Sequence, residues 1–368
     1  MGTAAFLPKD KLAAWLKELA GDHIVLLPQA RGDAVVFSPL DPEKAEEMTA
    51  SAVFTRDATC PPKSAVFPAE QELLRYSRVK DPEDPGKVDV QLEVTMPRHR
   101  RLVFGARPCG VRGFLTYDRV YSTDKLTDPY YAARRQNTLF VTMACGESGN
   151  TCFCNWVGSG PDDASGSDML LTPVEGGYLV EPVTERGEAL VRNSVLVPGD
   201  DRVAEAEAVR AKAREELEKR SPAPDLAAST QSLMDVFDDL EFWQDMSAKC
   251  ISCGACTYLC PTCYCFNITD EAKGLSGRRI RSWDNCMSFQ FTLEASGHNP
   301  RPTKAHRLKN RVGHKFSYYP ALHGGAIACC GCGRCIKSCP VSVDIREIVL
   351  AAIARAATKA EKAAEEAV

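Results

Sequence analysis

Two segments of this sequence carry four cysteines each at an identical spacing: Cys250-x2-Cys253-x2-Cys256-x3-Cys260-Pro261 and Cys329-x2-Cys332-x2-Cys335-x3-Cys339-Pro340. Three thiolates separated by two residues lie on one tight turn and can grip three irons of a cubane. The fourth iron takes its ligand from elsewhere, and in two-cluster ferredoxins that ligand is the fourth cysteine of the other motif. The spacing therefore predicts two [4Fe–4S] clusters. One falls on Cys250, Cys253, Cys256 and Cys339, the other on Cys329, Cys332, Cys335 and Cys260. Gly254, Gly331 and Gly333 let the turns bend close to the metal, and Pro261 and Pro340 end them. A pair of zinc sites is the competing reading. Zinc motifs, however, use two CxxC pairs rather than three cysteines and a distant fourth.

A second constellation lies upstream. Cys109 sits in Arg107-Pro108-Cys109-Gly110, and Cys145, Cys152 and Cys154 share one glycine-containing stretch. Cys109 and Cys145 each follow a short apolar run, Leu102–Gly105 and Thr138–Thr142, that reads as a strand. Loops after strands are where α/β domains place chemistry. These four cysteines are expected to converge on a third [4Fe–4S] cluster, with a zinc site or free thiols as alternatives. The spacing matches no general rule. Cys60, Cys263, Cys265, Cys286 and Cys330 remain. They read as packing around the clusters, with an extra metal site near Cys263, Cys265 and Cys286 as the alternative.

The chain has 368 residues and 17 cysteines, long enough to bury a core without disulfide staples. No apolar run is long enough for a membrane helix. Residues Met1 to Leu12 lack the apolar segment of a secretory signal. The expected compartment is the cytoplasm, where thiols stay reduced. That excludes a disulfide scaffold and leaves metal binding as the reason for so many thiols.

The elements that must position these residues divide the chain. The stretch from Asn155 to Lys249 has no cysteine. Residues 201–220 read as a helix, which Ser221-Pro222-Ala223-Pro224 breaks. The predicted organisation is an N-terminal α/β domain, 1–225, followed by a helical ferredoxin-type domain, 226–368, an α+β arrangement overall. In the first, Leu12, Trp15, Leu16 and Leu19 recur at helical spacing, and Ile24–Leu27 and Ala34–Phe37 read as strands. In the second, Leu233, Val236, Phe237, Leu240 and Trp243 predict one helical face. Helices are expected near 283–296 and 303–315. An apolar stripe runs from Ile345 to Ala356 after a capping-box-like Asp344 and Glu347, with a frayed tail from Ala357.

Basic residues cluster from Arg98 to Arg135 and from Arg278 to Lys315. A cubane on four thiolates is anionic, and nearby cations raise its potential. The same residues could dock an acidic partner or form a solvated helix face. A net charge of −4 argues against nucleic-acid binding. His298, His306, His314 and His323 lack metal-ligand spacing. No complete GxGxxG or Walker A pattern supports a nucleotide site.

Several flanking stretches carry a family resemblance. They are Pro61-Pro62-Lys63, Arg107-Pro108-Cys109, Asp128-Pro129-Tyr130-Tyr131, Cys152-Phe153-Cys154, Cys260-Pro261-Thr262-Cys263-Tyr264-Cys265-Phe266, Trp283-Asp284-Asn285-Cys286 and Asn299-Pro300-Arg301. With them the chain resembles the iron–sulfur β subunit of cytosolic hydrogenase/sulfur reductase complexes and the corresponding iron–sulfur subunit of anaerobic sulfite reductase. Cys330 departs from the pattern, where an apolar residue would be usual.

The resemblance implies an electron-transfer subunit without catalytic residues of its own. It would relay single electrons between a flavin subunit, linked to NAD(P)H or ferredoxin, and a catalytic subunit. That catalytic subunit would be a hydrogenase, a sulfite or sulfur reductase, or a heterodisulfide reductase-like enzyme. The alternative is a reductase whose own N-terminal domain binds flavin or substrate.

Overall fold

The apolar stripe of Leu12, Trp15, Leu16 and Leu19 forms the helix Leu12–Leu19 and buries all four side chains. The computed structural model describes residues 4–366 except Arg56, Pro85, Asn193 and Ser194. Strands β1 (Ala5–Pro8), β2 (Ile24–Arg31), β3 (Ala34–Pro39), β6 (Arg101–Ala106), β7 (Thr138–Met143), β8 (Met169–Val174), β9 (Gly177–Pro182) and β10 (Val197–Pro198) build one sheet. Its order is β10-β1-β9-β8-β7-β6-β2-β3. The central pairs β2–β6, β6–β7 and β7–β8 are parallel, and the outer pairs are antiparallel.

The parallel strands β6 and β7 are buried along almost their whole length. That is why they read as unbroken apolar runs rather than as alternating strands. On one face, Trp15, Leu27, Leu102, Phe104, Val141 and Leu171 form a core. On the other, Phe67, Val103, Phe114, Tyr117, Tyr131 and Phe140 form a second, aromatic one.

A second sheet joins distant parts of the chain. β4 (Glu70–Lys80) and β5 (Val88–Val94) pair with a hairpin of β11 (Phe266–Lys273) and β12 (Ser276–Trp283), in the order β11-β12-β4-β5. Strands from either side of residue 225 therefore share one sheet. A third core collects Leu233, Val236, Trp243, Met287, Leu308, Val312, Phe316, Ile348 and Val349, and it takes in Phe153 and Val157 from the upstream half.

The fold is mixed α+β, as expected, but several helices differ from the reading of the sequence. Residues 283–296 hold the end of β12 and loops with one short turn at Gln290–Thr292 instead of a helix. The second expected helix is Lys304–Gly313, continued by a wider π-turn, His314–Tyr318. The face predicted from Leu233 to Trp243 is split into two helices, Ser229–Asp235 and Leu240–Ser247. Asp239 caps the second by accepting from the Phe242 amide at 3.2 Å, so Leu240 turns outward while Trp243 stays buried. The stripe at Ile345–Ala356 belongs to the helix Ile345–Glu366, which runs through the tail expected to fray. The alanine, lysine and glutamate of that tail are strong helix formers. Among the described residues no helix is long and apolar enough to cross a membrane.

Candidate iron–sulfur centres

The two ferredoxin-type runs fold alike. Each makes a loop, then one helical turn, Ala255–Tyr258 in the first and Arg334–Lys337 in the second, entered through a left-handed glycine. Cys250, Cys253, Cys256 and Cys339 line one cavity, closed by Met287, Leu308, Val343 and Arg311. Cys260, Cys329, Cys332 and Cys335 line a second, with Phe153, Ile345, Arg311 and Lys315. The last cysteine of each run thus stands with the first three of the other.

Amide donors point at these sulfurs. Ser252 N lies 3.4 Å from Cys250 Sγ, Val343 N 3.2 Å from Cys339 Sγ, Thr262 N 3.4 Å from Cys260 Sγ, and Gly331 N 3.5 Å from Cys329 Sγ. Hydrogen bonds to ligand sulfurs offset thiolate charge and raise a cluster's potential. Soft sulfur donors, apolar walls and N–H···S donors together fit an iron–sulfur group.

The comparisons with known proteins point the same way. Residues 249–343 match the family model described as a 4Fe-4S dicluster domain. Sulfhydrogenase 2 subunit beta of Pyrococcus furiosus is 32% identical over 248 residues, covering 66% of this chain and 71% of that protein. The chain belongs to the family of iron–sulfur β subunits of hydrogenase/sulfur reductases.

In this β-subunit homologue the third cysteine set is drawn together as well. Cys109, Cys145, Cys152 and Cys154 line a cavity of about 250 Å³ with Asp57, Arg107, Thr151, Cys332 and Arg334. Cys109 opens the helix Pro108–Arg112 directly after β6, and Cys145 follows β7, so two adjacent parallel strands deliver both. Arg107 fixes the loops between them, donating to Ala144 O at 2.7 Å and to Phe54 O. Phe153 N donates to Gly331 O at 2.8 Å, tying the Cys152–Cys154 loop onto the second ferredoxin run. Gly331 and Gly333 have φ of +61° and +68°, and a Cβ on either would collide with the backbone of residues 151–154. Burial pushes the Cys145 thiol up to about 12. Burial and nearby Asp57 push Cys152 up to about 11. Iron binding to this set would therefore displace protons.

Three buried cations, Arg311, Lys315 and Arg334, line these cavities and a fourth, Lys63, is buried beside Cys263, and the sequence reading singled out none of them. Lys63, Arg311, Lys315 and Arg334 are all at most 5% exposed. Arg311 lines the first and second cavities. Lys315 Nζ lies 3.4 Å from Cys260 Sγ and donates to Thr262 Oγ1 at 2.8 Å and Ala328 O at 3.0 Å. Burial works against its charge, yet the thiolates of Cys260, Cys263 and Cys329 hold its pKa above the ordinary lysine value. Arg307, also buried, donates to Met287 O at 3.0 Å. The signal for this group was present: 307, 311 and 315 recur every four residues on one helical face. By contrast Arg278 and Arg279 pair with Glu271 and Asp270 at the surface.

The remaining cysteines fall in different settings. Cys60 is exposed and Cys330 is buried beside Cys332. Cys263, Cys265 and Cys286 lie together next to Cys260. Among the described residues no group of three or more His, Cys, Asp or Glu is arranged to hold a single metal ion.

Proposed function

We propose that this chain is the electron-transfer subunit of a cytoplasmic oxidoreductase complex and carries three [4Fe–4S] clusters on the three cysteine sets. Clusters of this kind supply one-electron redox chemistry. The chain's own residues do the rest. Twelve cysteines hold the iron, backbone amides and buried cations set its potential, and apolar walls exclude water.

The observation that carries this reading is the sharing of lining residues. Cys335 lines both the first and second cavities, and Cys332 lines both the second and third. The three sets therefore form one connected row rather than separate sites. The row has an exposed end at Cys253 and Ile251, where a second protein could approach the first set. No acid, base or nucleophile needs to act along it.

The Pyrococcus furiosus relative is named as a subunit of a sulfhydrogenase. By analogy, the catalytic partner here is a hydrogenase or a sulfur-compound reductase, and a flavin subunit supplies or takes the electrons at the other end. Anaerobic purification of the full chain tests this. The expected result is about twelve irons per chain, reversible bleaching by dithionite, and no turnover of NAD(P)H, hydrogen or sulfite until partner subunits are added. Turnover of any of these by the chain alone would overturn the reading in favour of a reductase with its own flavin or substrate site.

A further inference from the structure

The second sheet ends in an edge strand that lies outside all three cysteine sets. The base of this sheet is anchored. Ile280 and Arg281 of β12 are buried, and Arg281 Nη2 donates to Gln71 Oε1 at 2.6 Å. The loop after β12 packs on the first ferredoxin-type run, where a Cβ on Gly254 would stand 3.0 Å from the Asn285 side chain. Away from that base the sheet reaches into solvent. Every residue of β5 is exposed, so the strand meets water on both faces. β5 also ends the strand order and pairs with β4 on one side only.

Side chains along β5 alternate between the two faces. Val88, Val90, Leu92 and Val94 share one face and are 42% to 66% exposed. Asp89, Gln91 and Glu93 share the other. Free edges are normally blunted by lysine, proline or a bulge, because their unpaired N–H and C=O groups recruit another strand. The β5 sequence, VDVQLEV, has neither lysine nor proline, and its pairing with β4 runs without a register shift. The opposite edge of the sheet differs. There, Asp270 and Glu271 of β11 are ion-paired with Arg279 and Arg278. Asp89 and Glu93 have no ion pair among the described residues. Arg75, which stands opposite Glu93, is taken by Glu72 at 2.7 Å.

We propose that β5 is a docking edge for one extended segment of a partner protein, in which apolar residues alternate with lysine or arginine. Such a segment adds as a fifth strand. Its main chain takes up the free N–H and C=O groups of β5. Its apolar side chains continue the face of Val88, Val90, Leu92 and Val94, and its cations fall opposite Asp89 and Glu93. A second copy of this chain fits less well. In the antiparallel register that pairs β5 with itself over its full length, Asp89 of one copy stands opposite Glu93 of the other, and like charges there repel. Because the sheet is rooted on the first ferredoxin-type run, a partner held on β5 is tethered on the side of the set Cys250, Cys253, Cys256 and Cys339. The use of that tether for electron delivery rests on the electron-transfer reading above; the binding itself does not.

The test titrates the iron-loaded full chain into two end-capped, fluorescently labelled peptides, one alternating valine with lysine and one alternating valine with glutamate, each seven residues long. Anisotropy reads binding, and amide hydrogen exchange of the full chain reads its place. The expected result is binding of the lysine peptide, about tenfold weaker binding of the glutamate peptide, and protection confined to residues 88–94. The double variant Asp89→Lys, Glu93→Lys should reverse the preference at wild-type iron content. Leu92→Lys should weaken both peptides. No binding, equal binding of the two peptides, protection elsewhere, or an unchanged preference in the double variant overturns the proposal. So does self-association of the chain alone with protection at 88–94, which gives the edge to a second copy. Iron content and electron paramagnetic resonance of the same samples test the electron-transfer reading separately, so either can fail while the other stands.

Discussion

Arg334 reaches Cys109 across 225 residues of sequence, with Nη1 3.7 Å from Cys109 Sγ. The same guanidinium donates through Nε to Ala58 O at 2.8 Å and faces Asp57 Oδ1 at 3.9 Å. Arg334 stands between Cys332 and Cys335, so one side chain joins the second ferredoxin-type run to the upstream cysteine set. It is 5% exposed. A charge so buried is stable only with opposite charge nearby, and Asp57 first, then the sulfur of Cys332, supply it.

The first prediction follows from that position. Arg334→Gln removes a buried positive charge next to two iron–sulfur sets. It should lower the potential of the affected cluster, because a reduced cluster is more anionic and loses its counter-charge. A loss worth about 1.4 kcal/mol corresponds to about 59 mV for a one-electron couple. Arg334→Lys should keep most of the potential. Potentiometric titration followed by electron paramagnetic resonance checks both, and unchanged midpoints in the Gln variant would contradict the role.

A second prediction concerns backbone approach. Gly333 has φ of +68°, and a Cβ there would strike the carbonyl of Thr151. Left-handed backbone costs alanine about 1–2 kcal/mol, and overpacking against a backbone atom that cannot swing aside adds about 1–3 kcal/mol. Gly333→Ala should therefore destabilise the chain by about 2–5 kcal/mol and loosen the Cys152–Cys154 loop. The denaturant midpoint and the iron count should fall together. A midpoint equal to wild type would show that the loops do not touch as described.

Much of this was legible beforehand, for physical reasons that differ by region. The ferredoxin-type sets were readable because ligand spacing is set by cluster geometry and needs no tertiary context. β6 and β7 were readable because strands buried on both faces become continuous apolar runs. The second sheet was not, since β12 pairs with β4 some two hundred residues earlier and local pattern carries no partner information. β5 alternates Val88, Val90, Leu92 and Val94 with polar residues, a strand period that the sequence analysis did not take up. Residues 283–296 looked helical, but the hairpin that precedes them and the Asn285 turn consume the segment. Arg311 and Lys315 were noticed only as part of a basic stretch, because burial of a cation can be read only once the thiolates around it are in place.

The third prediction separates the upstream set from the ferredoxin-type pair. Cys152→Ser should lose about four of about twelve irons while the two remaining clusters keep their signals. The reason is spatial. Cys152 lines only the third cavity, whereas Cys332 lines the second and third. Iron and sulfide analysis with electron paramagnetic resonance on the anaerobic variant reads the result directly. Retention of all iron would remove Cys152 from the ligand set.

The fourth prediction is a pH dependence. His314 Nε2 lies 3.1 Å from Tyr264 Oη, and the ring is mostly buried at the start of the π-turn. Burial first, then the neighbouring charges of Lys315 and Arg301, push its pKa down to about 4. Cys260 pulls the other way, and His323 adds to the depression. In the unfolded chain the same histidine titrates near its ordinary value of about 6.5. The unfolded state therefore binds the extra proton first as pH falls. Stability from this residue is complete above about pH 6.5 and is lost progressively down to about pH 4. Between pH 7.5 and 5.5 the loss is about 1.3 kcal/mol by linkage. His314→Gln keeps a side chain that can pair with Tyr264 and does not titrate, so its stability should change less over this interval. Clusters are themselves sensitive to acid, so the diagnostic quantity is the difference between wild type and variant at each pH. Thermal midpoints of the iron-loaded chains measure it, and parallel curves would show that His314 does not carry the effect.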